Sequence, residues 1–316
     1  MKNSSAVTNQ ILQVQSISVE ALGTEFEVFY AEAGPPSGAV VIGIHGAPCT
    51  HNAFRGMAAP LVAAGYRVII PNLPGNGVTD VDKKHIYNYT TPHKAAVVKG
   101  LIQALQIERV AMVFAHSMGC HVAAHVASNL SSYGAVQSLG LICTPGSTPH
   151  RLLRPMIIHR ILTNCLYWLL HIPIVGQIIA KLLSPVFAAT GFKGRNPRAE
   201  AISYYEGAHM DFPQFGRDCA ALCQQKVPVL MLASSNDRVI QHSITEQTMS
   251  TLGMRLDDIK WYYKGQSQDQ ASCKGSTVSQ AVMFDDGTHF ILKKYPELLA
   301  KEIILFLQAI TESEII

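Results

Sequence analysis

The sequence predicts an α/β fold: a mostly parallel central sheet with helices on both faces, interrupted by an inserted helical segment. Three observations lead there. Short apolar runs recur at 39–44, 68–70, 110–114, 139–143, 229–232 and 281–284 without polar alternation, as in strands buried on both faces. Helix-length segments separate them. The stretch 150–215 breaks this rhythm, because it shows no strand pattern and is cut by Pro155, Pro173 and Pro185. The expected organisation is a flexible tail at 1–10, a core half at 11–149, the helical insertion at 150–215 and a second core half at 216–316.

Each element has a local reason. Residues 11–21 and 24–32 alternate apolar and polar around Gly23, which predicts an antiparallel hairpin. A helix from near Asn52 ends at Gly65. Thr91-Pro92 predicts a helix start, with Thr91 as cap and Pro92 in the first turn, running to about 105. Pro296 opens a last helix to about 310. Within 156–172, apolar side chains at 158, 161, 162, 165, 166, 169 and 172 oppose polar ones at 159, 160, 163, 164 and 171. That predicts an amphipathic helix with a broad apolar stripe. Residues 264–279 form a polar excursion between Trp261-Tyr262-Tyr263 and the last strand, expected to be a mobile loop.

Composition excludes several functions. The chain of 316 residues is 48% hydrophobic, enough for one large domain with an insertion. Its net charge of +3 and scattered 25 Lys and Arg do not predict a nucleic-acid face. Mean hydropathy is +0.17, which directs attention to lipids and membranes. Seven cysteines, an odd number partly inside apolar runs, read as reduced thiols in a reducing, cytoplasmic setting. Residues 1–15 lack the apolar run of a secretory signal.

The strongest chemical signal is Phe114-Ala115-His116-Ser117-Met118-Gly119, which follows an apolar strand and precedes a helical pattern. It reads as a nucleophile elbow, with small residues two before and two after Ser117. A serine hydroxyl needs a base within hydrogen-bond reach. His289, just past the run 281–284, lies where an open sheet places its site. The base in turn needs a carboxylate to hold its tautomer. Asp237, after the run 229–232, is the first choice, and Asp285 or Asp286 the alternatives. The oxyanion donors are expected to be the N–H groups of Met118 and of Ala47 in Ile44-His45-Gly46-Ala47-Pro48, since Pro48 has none. His121 and His125 share a helix face, yet no Glu lies between them and no third ligand is evident, so no metal site is read. His116 reads as structural. The loop Pro71–Gly77 reads as site scaffolding, because no Gly-Lys-Ser/Thr pattern exists to hold phosphate, and no cofactor is expected.

With these residues in order, the chain resembles the α/β-hydrolase superfamily. The His45-Gly46-Ala47-Pro48 turn, the Pro74-Gly75-Asn76-Gly77 loop, the His116-Ser117-Met118-Gly119 elbow, Asp237 and His289 carry the resemblance across residues 39–310. It looks most like the group with a His-Gly-x-Pro turn and a lid after the sixth strand, which includes esterases, monoacylglycerol lipases, proline iminopeptidases and carbon–carbon hydrolases. Epoxide hydrolases and dehalogenases of that group carry Asp at the elbow, and Ser117 argues against both. The segment Thr50-His51-Asn52-Ala53-Phe54-Arg55 also resembles a poorly characterised animal group of hydrolases, which assigns no substrate. Two departures stand out: Ala115 replaces the usual Gly, and Cys120 stands where a second Gly is common and is expected to crowd the elbow.

The resemblance implies a serine hydrolase acting on a small-molecule or lipid ester through an acyl-enzyme on Ser117. Ile157, Ile158, Leu162, Leu166, Trp168, Leu169, Leu170 and Ile172 are expected to line an apolar route to it. A carbon–carbon or amide hydrolase with the same triad remains an alternative, as does a non-catalytic lipid- or partner-binding protein. A membrane span at 156–180 is disfavoured by Asn164, His171 and Pro173. Arg154, Arg160 and Lys181 beside apolar faces leave peripheral membrane association open.

Overall fold

A computed structural model describes residues 11–80, 88–129, 135–170, 172–189, 193–268 and 279–315. The tail expected at 1–10, and residues 269–278 of the expected mobile loop, lie outside the described residues. The strands are β1 (Gln13–Ala21), β2 (Thr24–Ala33), β3 (Val40–Ile44), β4 (Arg67–Pro71), β5 (Arg109–Val110), β6 (Met112–His116), β7 (Ala135–Val136), β8 (Leu139–Ile142), β9 (Val229–Ser234), β10 (Lys260–Tyr263), β11 (Gln266–Gln268) and β12 (Gln280–Phe284). One sheet takes the order β1-β2-β4-β3-β6-β8-β9-β12-β10-β11. It is parallel from β4 through β10, with antiparallel pairs at its two ends.

Every residue of β3, β6, β8 and β9 is buried. Neighbouring strand residues serve opposite faces, as the pleat requires. Ile42, Val113 and Met231 join one core, packed against α2 (Thr91–Ala104), α3 (Gly119–Ser128) and α7 (Phe212–Gln224). Val41, Phe114 and Leu230 join the other, packed against α1 (Arg55–Ala63) and the carboxyl-terminal helix Pro296–Ile315. Thr90, not Thr91, stands at the cap position of α2, without a side-chain capping bond, and Pro92 lies in its first turn.

β10 was not readable as a strand. Its sequence Lys-Trp-Tyr-Tyr is short and polar at one end, yet it pairs in parallel with β12 and stacks Tyr262 on Phe284 at 5.0 Å. Tyr262 also donates to the buried Glu302 carboxylate at 2.6 Å, which accepts from Lys260 at 2.9 and 3.0 Å. A turn with positive φ at Lys264 and Gly265 then reverses the chain into β11, so the start of the polar excursion is an ordered hairpin.

Between β8 and β9 lie α4 (Met156–Leu170), α5 (Pro173–Ala189) and α6 (Pro197–Ala208). Asn196 caps α6 by accepting from Ala199 N–H at 2.8 Å, and Asp211 caps α7 through Gln214 N–H at 2.9 Å. The helix α7 runs through residue 215, the expected end of the insertion, and belongs to the core layer. Among the described residues no helix is long and apolar enough to cross a membrane.

The amphipathic helix forms, but turned from its expected orientation. Its buried side chains are Thr163, Leu166 and Leu170, with Tyr167 stacked on Tyr205 at 4.6 Å. Thr163 Oγ1 donates to the His159 carbonyl at 2.7 Å, which lets a polar residue sit inward. Ile158, Ile161, Leu162 and Leu169 of the stripe face outward. The apolar arc is wider than the arc its neighbours cover, and periodicity alone cannot say which part of it is left out.

One ion pair ties the insertion to the core. Lys94 on α2 meets Glu206 on α6 at 2.6 Å with both side chains buried. Burial pushes the Glu206 carboxyl above its ordinary value, and Lys94 opposes that. Lys94→Met should therefore cost about 3–5 kcal/mol by stranding a buried carboxylate, and adding Glu206→Leu should restore most of it. Urea unfolding of the three variants checks this; a mild single variant would show that the pair bears little on stability.

Candidate active site

Loops after β3, β6, β9 and β12 converge at the carboxyl edge of the sheet, the place an open α/β sheet reserves for ligands. Ser117 ends β6 with φ +52°, a left-handed backbone that side chains rarely adopt. The turn holds because its neighbours are small. A Cβ on Gly119 would lie 2.5 Å from Ile44 O and 2.6 Å from His45 O, so the start of α3 can rest on β3 only as glycine. A Cβ on Gly46 would meet His116 O at 2.8 Å. Ala115 fits with no exposure. Cys120, expected to crowd the turn, fits instead and points its thiol at the Ala115 and Ile142 carbonyls at 3.3 and 3.6 Å.

Ser117 Oγ lies 2.9 Å from His289 Nε2, and His289 Nδ1 lies 2.8 Å from Asp237 Oδ2. All three side chains are nearly sealed from solvent. The geometry assigns Nδ1–H as donor to the carboxylate, leaving Nε2 to accept from the serine. Asp237 Oδ1 accepts from Val239 and Ile240 N–H at 2.8 and 2.9 Å. Burial alone would raise the Asp237 carboxyl, but the His289 hydrogen bond and the backbone donors outweigh it and hold it below its ordinary value. The alternative acids are engaged elsewhere. Asp285 accepts from Lys264 N–H at 3.0 Å, and Asp286 pairs with Lys294 at 2.6 Å and Tyr295 at 2.7 Å.

His116 is structural, as expected, and His45, given no role from the sequence, is structural too. His116 Nε2 donates to the His289 carbonyl at 2.9 Å, so the residue before the serine holds the backbone of His289. His45 Nδ1 donates to Gly46 O at 2.9 Å, and its Nε2 accepts from Leu73 N–H at 3.0 Å. This joins the Gly46 turn to the Pro74–Gly77 loop. Burial pushes both rings down to about 3, so they stay neutral. Asn72 extends the brace, accepting from His51 N–H at 3.0 Å and donating to Phe29 O at 3.2 Å. The His121 and His125 pair does not converge: one ring meets Gly146 O at 3.0 Å and the other Asp218 at 3.2 Å. Cys143 lies beside Asp237 and His289, but both ring nitrogens of that histidine are already taken, and burial raises the thiol well above its ordinary value.

A cavity of about 390 Å³ opens on Ser117, Ala47 and Met118. Its outer wall comes from Leu153, Leu183, Val186, Phe187, Tyr204 and Met210 of the insertion. None of the side chains expected from residues 157–172 lines it. α5, α6 and the turn before α4 supply the wall instead, because α4 directs its inner face at Tyr205 and the core. Among the described residues neither Ala47 nor Met118 N–H donates to a backbone carbonyl, and both residues line the cavity beside Ser117.

This sheet, with Ser117, Asp237 and His289 joined at its carboxyl edge in that chain order, defines an α/β hydrolase. Residues 7–307 match the family described as alpha/beta hydrolase of unknown function (DUF1057), and the chain belongs to that family. Among curated relatives, an uncharacterized hydrolase of Saccharomyces cerevisiae is 31% identical over 86 residues, 27% of this chain and 29% of its own. A 2-hydroxy-6-oxo-6-phenylhexa-2,4-dienoate hydrolase of Comamonas testosteroni is 38% identical over 104 residues, 30% of this chain and 33% of its own. A haloalkane dehalogenase of Mycobacterium marinum is 31% identical over 113 residues, 35% and 37%. The chain thus spans about a third of the length of these relatives. An esterase from Thermogutta terrifontis superposes with TM-score 0.64 at 18% identity, covering 93% of this chain and 98% of that one. A carboxylesterase structure from Nitrososphaera gargenis gives 0.66 at 13%, covering 94% and 100%. Identities this low show the shared fold.

Gly119→Ala should lose several degrees of melting temperature, since the added methyl meets backbone rather than a yielding side chain. Gly207→Ala, on α6 with open space at its Cβ, should be neutral or stabilising by about 0.5–1 kcal/mol. Thermal melts of both variants check the contrast.

Proposed function

We propose that the protein is a serine hydrolase of carboxylic esters with apolar acyl groups. The observation that carries this is the Ser117–His289–Asp237 relay, at 2.9 and 2.8 Å, opening on a mostly apolar cavity. His289 takes the proton of Ser117 Oγ as it attacks the ester carbonyl, while Asp237 stabilises the resulting imidazolium. Ala47 and Met118 N–H groups stabilise the oxyanion. The tetrahedral adduct collapses, His289 returns the proton to the leaving alkoxide, and an acyl-serine remains. Water, deprotonated by His289, attacks that ester; the acid leaves and Ser117 regains its proton. The helices α4–α6 act as the lid over this route. Serine, unlike the carboxylate nucleophile of dehalogenases, is suited to a carbonyl and not to displacing halide. A carbon–carbon substrate would use the same relay, and the Comamonas relative keeps that second reading in view.

A folded Ser117→Ala protein should lose all labelling by a fluorophosphonate, and undiminished labelling would overturn the assignment. Asp237→Asn should cut turnover by roughly 10⁴-fold through loss of the correct tautomer. If Asp286→Asn did so instead, the acid would be misplaced. For the acyl pocket, Leu183→Ala should raise KM for long-chain esters by about tenfold while sparing acetate esters, since each lost methylene contact is worth about 0.8 kcal/mol. A panel of p-nitrophenyl esters of increasing chain length reads this, and equal losses throughout would remove Leu183 from the acyl site.

A further inference from the structure

The outer face of α4 and α5 is apolar and uncovered. Ile157, Ile161 and Leu162 stand out from α4, and Trp168, Ile174 and Leu182 are 73%, 74% and 72% exposed. Lone exposed apolar side chains need no explanation, but a contiguous face on two adjacent helices does. The inner face of each helix is satisfied by Leu166, Leu170 and Ala180 in the core, so the outer face is surplus to folding.

Charge narrows what covers it. The sequence from 109 to 199 contains no Asp or Glu, while Arg154, Arg160, Lys181, Lys193 and Arg195 all fall within or beside the two helices. Lys181 is exposed one turn from Ile178, and Arg160, exposed one turn from Ile157, sits at the edge of the face with its Nε donating to Ala208 O at 3.2 Å. A second copy of this chain would bring the same cations against each other. An anionic lipid surface would meet apolar side chains with its acyl region and cations with its headgroups. At 15 and 17 residues the helices are too short to cross a bilayer, which takes about 20. They can lie along its surface.

The face also meets the site. Val186 is 59% exposed on α5 and at the same time lines the cavity at Ser117, as does Leu152, 48% exposed just before α4. We infer that the outer face of α4 and α5 docks the protein on an anionic bilayer, with the cavity mouth at the lipid boundary so that ester substrates enter from the membrane. The delivery half of this inference rests on the proposed ester hydrolysis; the docking half does not.

Co-sedimentation with phosphatidylcholine vesicles, with and without phosphatidylserine, tests it on the full chain. The wild type and the Ser117→Ala protein should both pellet with anionic vesicles at low salt, less so at high salt and least with phosphatidylcholine alone. Trp168→Glu with Leu182→Glu, at exposed positions outside the cavity lining, should lower the bound fraction by about tenfold or more. That variant should keep fluorophosphonate labelling and turnover of a soluble short ester, and lose turnover of a long-chain ester embedded in vesicles. A wild type that stays in the supernatant overturns the docking, as does a double variant that binds equally well. So does a dimer by sedimentation velocity that the same substitutions abolish, because the face would then be a protein interface. Vesicle binding without fluorophosphonate labelling would leave docking standing and sink the hydrolase reading instead.

Discussion

The left-handed turn at Ser117 is the constraint that orders the rest of the molecule. A serine at φ +52° presents its hydroxyl above the sheet, at the end of β6 and the start of α3. Such a conformation costs about 1–2 kcal/mol and persists only where the surroundings over-determine it. Here they do so by close approach. Gly119 rests on the carbonyls of Ile44 and His45, and Gly46 rests on the carbonyl of His116. The same contacts bring the β3 turn beside the serine, so Ala47 and Met118 border one cavity. Holding Ser117 in this turn and framing the cavity beside it are one packing problem.

Buried histidines solve the remaining part of that problem without charge. A loop at the edge of a sheet carries backbone groups with no strand partner, and each must find one. Neutral imidazole offers a donor and an acceptor at opposite ends of a flat ring. His45 uses both to tie Gly46 to Leu73, and His116 spends its Nε2–H on the carbonyl of His289. Depression of both rings to about 3 keeps this bracing uncharged at any ordinary pH. A protonated ring in either place would lose an acceptor or add a cation beside His289.

Much of this was legible in the sequence, for reasons that separate what sequence patterns encode from what they leave out. Strands buried on both faces write themselves as unbroken apolar runs, so β3, β4, β6, β8, β9 and β12 were readable, with β6 starting later than expected because Arg109–Val110 pairs separately with β7. Ser117, Asp237 and His289 were readable because chemistry ties each to a loop after one of those strands. β10 was not, because an edge position tolerates Lys260 and leaves no apolar run. His116 was readable as structural, but its partner and the bracing role of His45 were not, because backbone carbonyls and amides carry no sequence signal. The presence of His beside a strained turn was the available hint.

The orientation of α4 shows the limit most clearly. A stripe broader than one contact surface can face either way, and polarity does not break the tie when Thr163 satisfies its own hydroxyl. What decided it was the neighbour: Tyr167 stacks on Tyr205 of α6, and α6 is itself held to the core by Glu206 on Lys94. A buried ion pair adds little net stability, yet it tolerates few alternative placements of its partners. Fixing α6 thus fixes which side chains of α4 turn inward, and so which remain outside. The exposed apolar face follows from this anchoring of the inner face together with an apolar arc too wide for it. The wall of the cavity is then left to the turn before α4, to α6 and to α5, whose Leu183, Val186 and Phe187 line it with Ser117. On α5 the two roles meet within single turns: Leu183 borders the cavity while its neighbour Leu182 faces outward, and Val186 does both.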